Sequence, residues 1–188
     1  MASVTTPKLF TAEEYAKLPN LLNFRDELIE GERVLSPNPF LSHGVVIEQL
    51  ANILKQQLNE LSPETFRVVQ ETGWQFHNPA SGRDSVPGPD LMVIREEDAK
   101  QAIKSGRWFE GIPLLTIEVI SPSECKGRRL QKVDLYLKMG VPHVIEVNYS
   151  KRTIQVHTQD ADSITYRQGD RLTIPFNADI NEIFSVLD

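Results

Sequence analysis

One cysteine in 188 residues removes two chemistries at once: Cys125 has no internal disulfide partner, and no thiolate metal site can be built from it. Placed between Glu124 and Lys126, this thiol reads either as an incidental loop residue or as a nucleophile. Long apolar runs are missing too. None approaches the roughly 18 residues that a membrane span needs, and residues 1–8 lack the apolar segment of a signal peptide. A cytoplasmic protein with no membrane partner is expected. Basic charge is scarce: 20 Lys and Arg against 26 Asp and Glu leave a net charge of −6. That balance argues against wholesale non-specific nucleic-acid binding but leaves room for a local basic patch. No repeat, low-complexity tract or linker divides the chain, so residues 1–188 are expected to form a single domain.

What is present centres on residues 86–140. V-P-G-P-D-L-M-V-I (Val86 to Ile94) and P-L-L-T-I-E-V-I-S-P-S (Pro113 to Ser123) are apolar, β-branched runs, each carrying one acid, Asp90 or Glu118. Burying a carboxylate in such a strand costs on the order of several kcal/mol unless a cation or hydrogen bonds compensate it. A hard divalent cation such as Mg²⁺ would do so and keep positions open for water and a phosphate. Both runs are apolar enough to be buried on two faces, which predicts an α/β domain whose central mixed sheet holds them as neighbours.

In chain order, Thr11 and Glu14 fit a capping box that opens a short helix ending before Pro19. Gly31 lies between strand-like runs within Phe24 to Pro37 and suggests a hairpin or bulge; its acids Asp26, Glu27, Glu30 and Glu32 form a solvated face by default. From Ser42, a plausible N-cap, Val46, Leu50, Ile53, Leu54, Leu58 and Leu61 recur at helical spacing. His43, in the first turn, is either a surface or capping residue or one that reaches a site at the sheet edge. Phe66 to Glu71 and Gly73 to Phe76 look like strands, and His77 to Ser85 like a turn-rich loop. Glu96 to Lys104 is a charged connector with helical character, and Pro122 ends the Glu118 strand. A helix over Arg128 to Met139 is predicted to pack through Leu130, Val133, Leu137 and Tyr136, with Gly140 as its cap. Val144 to Val147 reads as a strand, a hairpin turns around Gln159 to Asp162, and the last residues are expected to pack the sheet edge.

If the Asp90 and Glu118 strands pair, both carboxylates meet at one edge. A lysine there can stabilise phosphodiester transition-state charge, or position and deprotonate the attacking water. Lys132 is the candidate, with Gln131 beside it; a structural ion pair accounts for the same pattern. Between Glu124 and Lys138 five basic side chains face two acidic ones, making Lys126, Arg128 and Arg129 candidate phosphate contacts or simply a solvated face.

Pro89–Asp90 followed by E-V-I at Glu118 to Ile120 resembles the PD-(D/E)xK nuclease signature, in which the two acids bind the metal. The wider text is similar to the Uma-type restriction endonuclease family, long catalogued as a domain of unknown function. The matching pieces run from D-E-L-I-E-G-E (Asp26 to Glu32) and H-G-V-V (His43 to Val46) through P-D-L-M-V-I (Pro89 to Ile94) and L-T-I-E-V-I-S-P-S (Leu115 to Ser123) to K-V-D-L-Y-L-K-M-G-V-P (Lys132 to Pro142). The resemblance implies a restriction-endonuclease-like mixed sheet flanked by helices, with an additional antiparallel hairpin region. It implies Mg²⁺- or Mn²⁺-dependent cleavage of DNA, with Asp90 and Glu118 as metal ligands and catalytic residues. One departure matters: the lysine of the superfamily signature is Ile120 here, and the resemblance carries that role onto Lys132. It also carries onto Glu27 the additional acid that precedes the metal pair.

The resemblance and the two-fold symmetry of a DNA duplex together imply a homodimer. Two other functions fit the residues: a catalytically silent or weakly active binding protein on the same fold, which the acidic balance favours, and an RNA-directed nuclease.

Overall fold

The computed structural model describes residues 8–61, 65–121, 125–173 and 175–188. Pro122 and Glu124, and the side chain of Leu61, lie outside the described residues. Helix α1 (Ala12–Ala16) opens on the Thr11–Glu14 capping box, in which each residue's side chain bonds the other's backbone N–H. Strands β1 (Phe24–Ile29) and β2 (Glu32–Pro37) pair as an antiparallel hairpin. Its turn puts Glu30 and Gly31 at φ 51° and 78°, the left-handed pair that lets a two-residue loop match strand twist. There follow α2 (Leu41–Leu61), β3 (Phe66–Gln70), β4 (Phe76–Asn78), β5 (Arg83–Ser85), β6 (Leu91–Arg95), α3 (Glu96–Ser105), β7 (Leu115–Val119) and α4 (Lys126–Lys138). The chain then runs through β8 (Val144–Asn148), β9 (Thr153–His157), β10 (Ile164–Arg167), β11 (Arg171–Leu172), β12 (Ala178–Asp179) and α5 (Ile180–Phe184).

Six strands form the central sheet in the order β10-β9-β8-β7-β6-β3. Only β7 and β8 run parallel, joined across α4; the other neighbours are antiparallel, so the sheet is mixed. Both faces are covered. Leu91, Val93, Leu115, Ile117, Ile145 and Val147 point toward α2 and α5, while Met92, Ile94 and Val144 point toward α4, as period-two alternation requires. Among the described residues no helix is long and apolar enough to cross a membrane.

Strand register decides where the two acids meet. Leu91 opposes Ile117 and Met92 opposes Thr116, so Asp90 and Glu118 fall at the same end of adjacent strands and on the α4 face. Helix α4 ends in a Schellman motif: Gly140, at φ 90°, donates to Leu137 O at 2.9 Å, and Val141 donates to Tyr136 O at 3.1 Å.

Several expectations need correction. Helix α2 begins at Leu41, which puts Ser42 inside the first turn and not at its cap. Helix α4 begins two residues before Arg128 and buries Lys132, Val133, Leu135 and Tyr136, while Leu130 is 43% exposed. The helix is rotated because Lys132 and Tyr136 bond sheet carboxylates, which outweighs burial of one leucine. Gly73 to Phe76 is mostly not a strand: Trp74 makes an isolated bridge to Phe109, and its buried indole donates to Gly111 O at 2.7 Å. The loop from His77 to Ser85 is instead the β4–β5 hairpin. The last residues do not pack the edge. Phe176, Ile180, Ile183 and Phe184 fill the core beneath α2.

Two glycines should respond oppositely to alanine. Gly44, exposed in α2 with open space where a Cβ would stand, should gain about 0.5–1 kcal/mol on Gly44→Ala. Gly140→Ala should lose about 1–2 kcal/mol, because its left-handed backbone disfavours a side chain. Urea unfolding of both variants checks the opposite signs.

Candidate active site

The site is assembled from five stretches of the chain: β1, the first turn of α2, the start of β6, β7 and α4. The Val86–Leu28 backbone bridge, with hydrogen bonds of 2.7 and 3.2 Å, ties the segment before β6 to the β1–β2 hairpin. Pro87 and Pro89 restrict the backbone around Gly88. The Gly88 peptide is then held from both sides: Arg25 donates to its carbonyl at 2.9 Å, and its N–H donates to Glu27 Oε1 at 2.7 Å. That grip delivers Asp90 to the start of β6. Antiparallel pairing brings Glu118 beside it from β7, and α4 sets Lys132 against Glu118 and Glu27.

Glu27, Asp90, Glu118 and Lys132, expected at a site from sequence, are brought together here with His43, for which a site was one of two readings, and all five are buried. Lys132 Nζ bridges Glu118 Oε1 at 2.9 Å and Glu27 Oε1 at 3.0 Å. Tyr136 donates its hydroxyl to the same Glu118 Oε1 at 2.9 Å. The Arg25 guanidinium approaches Asp90 Oδ1 at 2.7 Å. Asp90 Oδ2 accepts from Val119 N–H at 2.6 Å and lies 3.3 Å from His43 Nε2. Arg25, Glu27, His43, Asp90, Glu118 and Lys132, with Arg128, Gln131 and Cys125, line a cavity of about 250 Å³, and Tyr136 stands behind Glu118. His43 is therefore a buried partner of Asp90 and not a surface or capping histidine.

Two contributors went unnoticed in the sequence, Arg25 and Tyr136. The Tyr136 signal was present: a phenol one helical turn after Lys132 shares its face. Arg25 carried a fainter one, its place two residues before Glu27 on the same face of β1. The basic patch divides. Lys126 and Arg128 are exposed at the start of α4, whereas Arg129 turns inward to Glu146 Oε1 at 2.5 Å, a buried carboxylate that also meets His157 Nε2 at 2.8 Å. Cys125 is exposed at the N-cap of α4.

Electrostatics separate the two acids. Burial would raise the Asp90 pKa, but His43, Arg25 and the Val119 N–H together hold it below the ordinary value. Glu118 goes the other way. Burial, reinforced by the nearby Asp90 and Glu27 carboxylates, outweighs Lys132 and pushes it up to about 7. Lys132 loses charge stability to burial and regains more from Glu118 and Glu27, so its pKa is raised and it stays protonated at neutral pH. Tyr136 is raised well above the usual phenol range by burial and by Glu118 and Glu27, and remains a donor.

The donor set fits a hard divalent cation in one respect: Asp90 and Glu118 place carboxylates on adjacent strand ends, and Glu118 is under-compensated in its ionised form. Against Glu27, Asp90 and Glu118 stand the permanent charges of Arg25 and Lys132, so a further cation is electrostatically welcome. No group of three His, Cys, Asp or Glu with metal-holding spacing occurs among the described residues. Other coordination positions would fall to water and substrate, and Arg25 would share Asp90 with the ion.

The raised Glu118 pKa has a definite sign for stability. Its contribution is full below the ordinary value of 4.5 and is lost as pH rises through about 7, because the ionised form is the one the fold disfavours. In metal-free buffer Glu118→Gln should therefore melt above wild type at about pH 8, and the gap should close as pH falls toward about 4.5. Thermal melts across that range check it; a gap that widens on acidification would contradict the assignment.

The fold is similar to that of a protein from Anabaena variabilis ATCC 29413 described as a "putative nuclease belonging to DUF820", with a TM-score of 0.79, 20% sequence identity, and coverage of 95% of this chain and 99% of that one. No match is found among curated proteins. The sequence model of the Uma2 family, described as "Putative restriction endonuclease", matches residues 12–180, a span that contains Arg25, Glu27, His43, Asp90, Glu118, Lys132 and Tyr136. With a match over nearly its whole length, the chain belongs to the Uma2 family.

Proposed function

We propose that the protein is a divalent-metal-dependent endonuclease that hydrolyses phosphodiester bonds of DNA. The observation that carries this reading is the Lys132 ammonium, held at 2.9 Å from Glu118 and 3.0 Å from Glu27 beside Asp90 at one end of the central sheet. In this reading Asp90 and Glu118 would hold Mg²⁺ or Mn²⁺, which would supply Lewis-acid polarisation of the phosphate and a lowered pKa of bound water. Lys132, charged at neutral pH, serves as a fixed positive donor toward the developing phosphate charge; its raised pKa speaks against a proton acceptor. Glu27 orients that ammonium and is itself fixed by the Gly88 N–H. His43 and the Val119 N–H keep Asp90 ionised and oriented. Lys126 and Arg128, exposed on the first turn of α4 with Arg128 at the cavity rim, are the phosphate contacts this reading needs.

A second reading has its own support. Arg25 on Asp90 and Lys132 on Glu118 already compensate much of the buried charge, as they would in a binding protein without catalysis. An RNA-directed nuclease is the further variant, because nothing in the cluster reads the sugar.

Assays on plasmid and oligonucleotides with Mg²⁺ or Mn²⁺ separate these readings. Asp90→Ala and Glu118→Ala should abolish cleavage and calorimetric metal binding. Lys132→Ala should keep metal binding and cut about 10²–10³-fold more slowly, by analogy with removing one preorganised donor elsewhere. Wild type inactive on every nucleic acid would transfer the case to the binding protein, and activity on RNA alone to the variant. The protein is further expected to be a homodimer presenting two sites to antiparallel strands; sedimentation as a monomer at micromolar concentration would count against it.

A further inference from the structure

The carboxylate cavity has a neighbour across Arg25 and Glu27. Those two residues and Pro39 also line a second, larger cavity of about 710 Å³ on their other side. That volume lies in the range of roughly 300–1,000 Å³ typical of small-molecule sites. Its wall carries Tyr15 and Trp108, whose rings stack with centroids 5.7 Å apart and planes 30° apart. Trp108 is held in position. A Cβ at Gly73 would come within 2.7 Å of its Cδ1, so the glycine leaves room for the indole edge, and the ring rests on the Ala12–Leu28–Val86 cluster.

The charge of this cavity excludes one class of ligand. Among the described residues that line it, the only cation, Arg25, is engaged by Asp90, while Asp26 and Glu27 are held by Arg33 and Lys132 and Glu71 is an exposed acid, so a phosphate backbone finds no unengaged cation here. What suits an aromatic wall beside carboxylate and amide groups is an uncharged planar group with N–H donors on its edge. Glu71 and Asn20 are exposed and lie at this cavity. Glu71 is also held in a left-handed conformation, φ 45°, with its N–H on the carbonyl of Asp90 at 3.2 Å. The backbone that carries the metal-site aspartate is thus bonded to the one that carries this carboxylate.

We propose that this second cavity receives an unpaired nucleobase, stacked against Trp108 and read along its edge by Glu71, while the phosphate of the same strand lies at Asp90 and Glu118. This rests on the endonuclease reading and narrows its substrate to strands with a single-stranded or extruded nucleotide at the scissile position, since a paired base inside a duplex cannot enter a side cavity.

The test uses the full chain. Trp74 is buried, so quenching of tryptophan fluorescence on adding a short DNA single strand in EDTA should come from Trp108. The quenching should vanish for a strand of abasic sites and in Trp108→Phe. With Mn²⁺ present, a duplex containing one unpaired nucleotide should be cut at least about tenfold faster than a fully paired duplex, and Trp108→Leu should bring that ratio to about one while leaving calorimetric metal binding intact. Glu71→Gln, an exposed change that spares the fold, should alter which base is preferred at the scissile position. Equal cutting of paired and unpaired duplexes without quenching would overturn the base site and leave the endonuclease reading standing. Quenching without cleavage of any substrate would do the reverse. If Trp108→Leu does not fold, the abasic comparison on wild type decides alone, and equal quenching by abasic and ordinary strands overturns the proposal.

Discussion

Three carboxylates buried in one cavity with two cations among them is the constraint on which the architecture depends. Glu27, Asp90 and Glu118 come from three different strand regions, and an uncompensated buried carboxylate costs on the order of several kcal/mol. Arg25 and Lys132 must therefore arrive together with the acids. This explains why the β1–β2 hairpin, which belongs to no part of the central sheet, is fastened to it by the Leu28–Val86 bridge and by the grip of Arg25 and Glu27 on Gly88. It also explains why α4 turns a lysine and a tyrosine, and not Leu130, toward the sheet.

The compensation is uneven, and the unevenness has chemical meaning. Asp90, with a guanidinium, a histidine and a backbone N–H around it, is stabilised as an anion. Glu118, with Lys132 shared between it and Glu27, is not. In the endonuclease reading proposed above, a site left short of positive charge next to a permanently charged lysine would accept a further cation together with an anionic substrate, at the expense of some stability without them. The neighbouring Glu146, paired with Arg129 and His157 on the next strand of the same sheet face, shows the contrast of a buried carboxylate whose charge is satisfied from within the protein.

Much of this was legible in the linear text where the signal is local. Apolar β-branched runs interrupted by a single acid marked Asp90 and Glu118, because such a run tolerates a buried charge only where something compensates it. The Thr11–Glu14 box, the Gly31 turn and the Gly140 cap are written in residue types with narrow backbone preferences. Helical periodicity marked α2, whose buried Val46, Leu50 and Leu54 follow the expected stripe. Periodicity misjudged α4, since a hydrophobicity pattern counts Lys132 as solvent-facing, and it missed how the last residues enter the core.

The sequence by itself determined most of the longer elements, the two acidic strands and the family to which the chain belongs, because each is encoded in short patterns of residue size, branching and order. Only the tertiary structure decided who compensates whom. Lys132 and Glu27 are 105 residues apart, Arg25 reaches across to Asp90, Tyr136 joins Lys132 on one oxygen of Glu118, and Arg129 turns away from solvent to Glu146. Charge compensation in a buried site acts through space at distances of about 3 Å, and no local property of the chain records which distant cation closes that distance.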